Sequence, residues 1–149
     1  MHYFEGASAR DVSLLLQQLA PELEAAGAKA LLDLYADEPM GDQPSKDALR
    51  AMTDIAEHAC SAAPRRRFSR SRDPLMGVEV DLHDRVQAGH FALLARRVIN
   101  AEAWCGDRQV FGTVESPTRV WVDLPEAVIE SLLARGRKAG AELRSRSEG

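Results

Sequence analysis

Arg65, Arg66, Arg67, Arg70 and Arg72 surround Phe68 and form the densest basic run in the chain. Guanidinium planes pair with phosphates and stack on bases, so this segment is where a nucleic acid would be held. The same arginines have an internal alternative. Residues 1–60 carry 11 acids against 4 bases, whereas residues 61–149 carry 12 acids against 15 bases, within a formal net charge of −4. Such a split suits either docking between packed segments or a dipolar surface that steers a charged partner.

Glu79, Asp81 and His83 alternate along one stretch and would share a strand face, and a short hairpin loop would return His90 beside His83. Two imidazoles and two carboxylates can bind zinc or a harder divalent ion. Against this, same-face neighbours on a strand stand roughly 7 Å apart, and alternating polar residues are what any half-buried strand shows. No metal or other cofactor is therefore expected. Asp54 and His58 stand four apart, a helical spacing that places a carboxylate behind an imidazole, but they project away from the apolar face of their helix and read as a solvated pair. Cys105, beside a turn, with His90 or His83 on the same sheet, is the one arrangement from which a Cys-His nucleophile could be built. Arg108 is the nearest group that would lower its pKa.

The patterns that name a chemistry outright are missing: there is no Gly-rich phosphate loop, His-Glu-x-x-His helix, Gly-x-Ser-x-Gly elbow or Cys-x-x-Cys pair. Cys60 and Cys105 are widely separated and read as free thiols of a reducing compartment. The first residues lack a basic segment followed by an apolar stretch, and no apolar run is long enough to span a bilayer. A cytoplasmic location without membrane contact is expected. Hydrophobic residues at 45% and charged residues at 28% are the balance of a folded domain, and 149 residues suffice for one core.

The elements that must position these groups follow from periodicity and caps. Ser8 with Asp11 three residues on resembles a capping box, and Val12, Leu15, Leu16, Leu19, Leu23 and Ala26 then fall on one helical arc that runs through Pro21, where a kink or two abutting helices are expected, to Gly27. Residues 28–37 suit a short helix or a strand, with helix preferred, 37–44 are read as a loop, and Ser45 as the N-cap of a helix to about Ala63 with Leu49, Met52, Ile55, Ala56 and Ala59 facing inward. Val78, Val80 and Leu82 then alternate with polar residues as a strand. His90–Cys105 is open between strand and helix, with strand preferred because a helix would put Glu102 in its apolar arc. Gly106-Asp107 makes a hairpin turn joining 98–105 to 108–115, and a further turn at Ser116–Thr118 leads into Arg119–Leu124. Asp123, Pro125 and Glu126 start a last helix with Val128, Ile129, Leu132 and Leu133 inward, stopped by Gly136.

Strict alternation across those turns puts Ile99, Ala101, Ala103, Val110, Gly112, Val120 and Val122 on one sheet face and Trp104, Phe111 and Trp121 on the other. The aromatic face is either covered by the N-terminal helices, in a three-layer core, or left open as a partner-binding patch. The apolar stripe of the first helix needs surface to bury against and favours covering. The expected fold class is α+β: N-terminal helices, an antiparallel β-meander of about four to five strands, and a C-terminal helix packed on the sheet. A single domain spans residues 1–136, with 1–63 mainly helical, 66–124 mainly strand and 124–135 helix, and residues 137–149 form a flexible tail. Small size, acidity and an aromatic sheet face (Trp104, Phe111, Trp121) suit a non-catalytic protein-binding regulator or inhibitor, of the immunity or antitoxin sort, or a self-associating one. The alternatives are a nucleic-acid-binding module using Arg65–Arg72 and a small metal- or thiol-dependent enzyme.

Overall fold

The computed structural model describes residues 1–35, 37, 39–62, 74–98 and 100–148. Its elements in chain order are β1 (His2–Gly6), α1 (Ala9–Ala25), β2 (Lys29–Asp33), α2 (Gln43–Ala62), β3 (Val78–Val80), α3 (Arg85–Leu94), β4 (Asn100–Cys105), β5 (Arg108–Thr113), β6 (Arg119–Val122), α4 (Glu126–Lys138) and β7 (Leu143–Ser147). The seven strands form one sheet in the order β3-β2-β4-β5-β6-β1-β7, with every pairing antiparallel. The fold is α+β, with more strands than periodicity alone suggests. Among the described residues no helix is long and apolar enough to cross a membrane.

Helix α1 starts as its sequence dictates. The Ser8 side chain accepts the Asp11 N–H while the Asp11 carboxylate accepts the Ser8 N–H at 2.7 Å, so both partners of the capping box are in place. Val12, Leu15, Leu16, Leu19 and Leu23 are fully buried, the helix continues past Pro21 as one element, and Gly27 ends it with a φ of 69°. Ala26 lies on the exposed side of the arc. In α2 the cap is Asp42, whose Oδ1 accepts the Ser45 N–H at 2.8 Å. Ala48, Leu49, Met52 and Ala56 are buried there, whereas Ile55 and Ala59 are exposed.

Four expectations are corrected. Residues 29–33 form strand β2, not a helix, because they sit between β3 and β4 and bury Ala30 and Leu32 on one face. Residues 85–94 form helix α3, started by Asp84, whose Oδ1 accepts the Val86 and Gln87 N–H groups, and only 100–105 are strand. Gly136 does not stop α4; it is buried in the helix where a Cβ would come within 2.7 Å of Leu143 Cδ1, and the helix ends at Lys138, with Gly140 just beyond its Ala139 cap at a φ of 96°. The 143–147 stretch, read as a tail, is strand β7 paired with β1 from His2↔Ser147 to Gly6↔Leu143. Its Arg-Ser alternation carries no apolar period because only its first residue, Leu143, reaches the core.

Residues paired directly across an antiparallel ladder share a face. One row, Val80, Ala30, Ala103, Phe111, Val122, His2 and Ser147, therefore crosses all seven strands on the inner side. The helices pack on that side. A Cβ on Gly6 would meet Val12 of α1, Leu143 meets Gly136 of α4, the Phe111 ring meets Phe91 of α3, and α2 packs beside α3. Two layers result.

Candidate functional site

The opposite row is Glu79, Leu31, Glu102, Gly112, Trp121, Tyr3 and Arg146, again one residue from each strand. Lys29, Trp104 and Gln109 form a second row beside it. Among the described residues no helix lies on this outer face; Tyr3, Trp104, Trp121 and Leu31 are half-buried there, sheltered by one another and by charged neighbours. The covering of this face by the N-terminal helices is thus corrected: the stripe of α1 finds its apolar surface on the inner side.

Phe111 is also corrected. It is fully buried, with its ring edge-on to Phe91 at a centroid separation of 5.6 Å, and it does not share a face with the tryptophans. The cause is a β-bulge. Ala103 pairs with Phe111 and Trp104 with Gln109, so Val110 is one residue too many on β5 and the alternation reverses there. The reversal turns Phe111 inward and brings Gly112 to the outer face, where the Trp121 ring lies against it; a Cβ at Gly112 would stand 2.5 Å from Trp121 Nε1. The aromatic groups that the outer face does bring together are Tyr3 and Trp121, directly opposite each other, with Trp104 two strands further on. Tyr3 was hidden from sequence reasoning because Met1–Gly6 carries only a weak alternation and no turn before it.

Charge clusters at the β6-β1-β7 corner. Arg119, Glu5 and Arg144 stand side by side, next to Trp121, Tyr3 and Arg146. Arg119 reaches Glu5 at 3.6 Å, and Tyr3, Glu5, Arg119, Arg144 and Arg146 line a surface cavity of about 540 Å³. At the far corner Arg108 holds Asp123 through Nε at 3.1 Å and Nη2 at 3.0 Å, which explains why Asp123 does not cap α4.

The other candidates fall apart as chemistry. Glu79 pairs with Lys29 at 3.2 Å, Asp81 accepts the His83 N–H at 3.0 Å, and His83 Nδ1 meets Glu24 of α1 at 2.8 Å. His90 lies on α3, not on a returning strand. Among the described residues no three His, Cys, Asp or Glu side chains gather closely enough to hold a metal ion. Cys105 donates to the Ala26 carbonyl at 3.4 Å, so its polar contact is main chain and not imidazole. Asp54 and His58 are both exposed on α2. Arg65, Arg66, Arg67, Arg70 and Arg72, like Ile99, lie outside the described residues.

One carboxylate is built into the scaffold itself. Asp11 is 6% exposed and accepts from the Ser8 N–H and Oγ, both at 2.7 Å, and from the Glu142 N–H at 3.0 Å. The Ser8 hydroxyl first, and then the Glu142 amide, hold its carboxyl below the usual range. It ties the start of α1 to the α4–β7 connection and so positions β7. Among the described residues the fold and this geometry define a two-layer α+β protein with no helix on one face of its sheet. Comparison with protein-family models, curated proteins and solved structures finds no match.

Proposed function

We propose that this protein is a non-catalytic binding protein, a cytoplasmic regulator or inhibitor of the immunity or antitoxin kind, which engages another protein through the outer face of its sheet. The observation that carries the reading is the row around Tyr3 and Trp121, with Trp104 beside it, which no helix covers among the described residues, on a sheet whose other face holds the four described helices. Half-buried aromatics with a charged rim are the composition of an interface core and its border. Antiparallel sheets often keep one solvated face, and what this one adds is three large aromatic side chains, Tyr3, Trp104 and Trp121.

The test is a pair of variants on that face. Trp104→Ala and Tyr3→Ser are expected to keep the circular dichroism spectrum and nearly all of the thermal stability, while a partner isolated with the unaltered protein, or self-association seen by sedimentation, is lost. Retained association in both variants would remove the outer face from the reading.

A further inference from the structure

Strand β7 borders the sheet and pairs with β1 alone. Flanking the ladder, the Ala7 N–H donates to the Glu142 carbonyl at 3.0 Å and the Glu148 N–H to the Met1 carbonyl at 3.1 Å. Bonded and non-bonded pairs alternate in an antiparallel ladder. In this register the bonded pairs are then Met1–Glu148, Tyr3–Arg146, Glu5–Arg144 and Ala7–Glu142. The main-chain groups of Arg144 and Arg146 face β1, and those of Leu143, Ser145 and Ser147 face away from the sheet. Arg137 Nη2 takes the Leu143 carbonyl at 3.1 Å. No described group takes the outward N–H and C=O of Ser145 or Ser147.

The side chains beside this free edge are cationic. Arg144 and Arg146 are exposed on the outer face and make no side-chain hydrogen bond or ion pair among the described residues. We propose that β7 receives an extended peptide segment of the partner, with carboxylates at alternate positions, which adds one strand to the sheet. This rests on the outer-face reading and names the chemistry at one end of it. Main-chain hydrogen bonds to Ser145 and Ser147 would supply the pairing, and carboxylates opposite Arg144 and Arg146 would set register and selectivity.

In the register that pairs the whole of β7, charge complementarity selects this occupant over a second copy of the chain. Two β7 strands pairing antiparallel about Ser145 would place Arg144 directly opposite the second copy's Arg146, and like charges at such positions repel. A nucleic acid would meet the arginines but leave the outward main-chain groups of Ser145 and Ser147 unpaired.

The experiment titrates the isotope-labelled full chain with a peptide of roughly ten residues alternating Thr and Glu. Expected are shifted and exchange-protected amides at Ser145 and Ser147, and affinity at least about tenfold weaker when Lys replaces Glu. Ser145→Pro removes an outward N–H without touching the β1 ladder, a change that border strands tolerate, and should weaken the peptide by about tenfold or more. Arg144→Ser with Arg146→Ser should do the same. Equal affinity for the Glu and Lys peptides overturns the proposal, as does silence of both serine amides at millimolar peptide. An oligothymidylate that shifts β7 where the peptide does not overturns it in favour of nucleic acid. Peptide shifts confined to Tyr3, Trp104 and Trp121 overturn the strand addition while leaving the outer-face reading intact.

Discussion

Trp121 lies against Gly112 on the neighbouring strand, so closely that a single added methyl would overlap the indole nitrogen. The pair is the centre of the outer face, and it exists because the bulge at Val110 brought a glycine rather than a phenylalanine to that position. Gly112→Ala should lift the ring off the sheet. In a Trp104→Phe background, where Trp121 is the lone tryptophan, the emission should move to longer wavelength and be quenched more readily. Because the ring can move outward, the cost should be about 1–3 kcal/mol in denaturant unfolding. An unchanged spectrum would show that Trp121 does not rest on Gly112.

The opposite sides taken by Phe111 and Trp104 make a second, sharper contrast. Phe111→Ala empties a fully buried site against Phe91 and should cost ~3–5 kcal/mol. Trp104→Ala removes a half-buried ring from an uncovered face and should cost about 1 kcal/mol. Equal losses would mean that the bulge does not reverse the alternation in solution.

Asp11 makes stability depend on acid. Its folded-state pKa is depressed, chiefly by the Ser8 hydroxyl, so its contribution is complete above the unfolded-state value near pH 4 and is lost as pH falls through the lower folded-state value. Thermal midpoints measured from pH 5 downward should fall for the unaltered protein and fall less steeply for Asp11→Asn, which starts lower. Ser8→Ala should remove the cap at a cost of ~1 kcal/mol at neutral pH. Parallel acid profiles for the unaltered protein and Asp11→Asn would assign the acid loss to other carboxylates.

The arginine segment separates protein binding from nucleic-acid binding. Under the protein-binding reading, affinity for a generic oligonucleotide at low salt should be negligible, and replacing Arg65, Arg67 and Arg70 together should leave partner association unchanged. Filter binding across a salt series checks this. A steep salt dependence that flattens in the triple variant would favour the nucleic-acid alternative.

The sequence by itself determined the parts of this protein that are set within a few residues. The Ser8–Asp11 box, the Val12–Leu23 stripe, the stop at Gly27 and the hairpin turn at Gly106-Asp107 are local events, since caps, helical phase and a positive φ need no distant partner. The interface candidate was legible only in part: Trp104 and Trp121 share the outer face as alternation requires, while Phe111 leaves it and Tyr3 joins it. Tertiary structure decided the rest. A bulge at Val110 costs the ladder one pairing and is worthwhile only because Phe111 then packs on Phe91, a contact between β5 and α3 that no local pattern announces. Likewise Leu143–Ser147 becomes a strand because β1, from the other end of the chain, offers it unpaired main-chain groups and Asp11 anchors Glu142 beside them. Which face of the sheet the helices cover is settled in the same way, by the side on which the summed apolar surface of four helices can be buried at once.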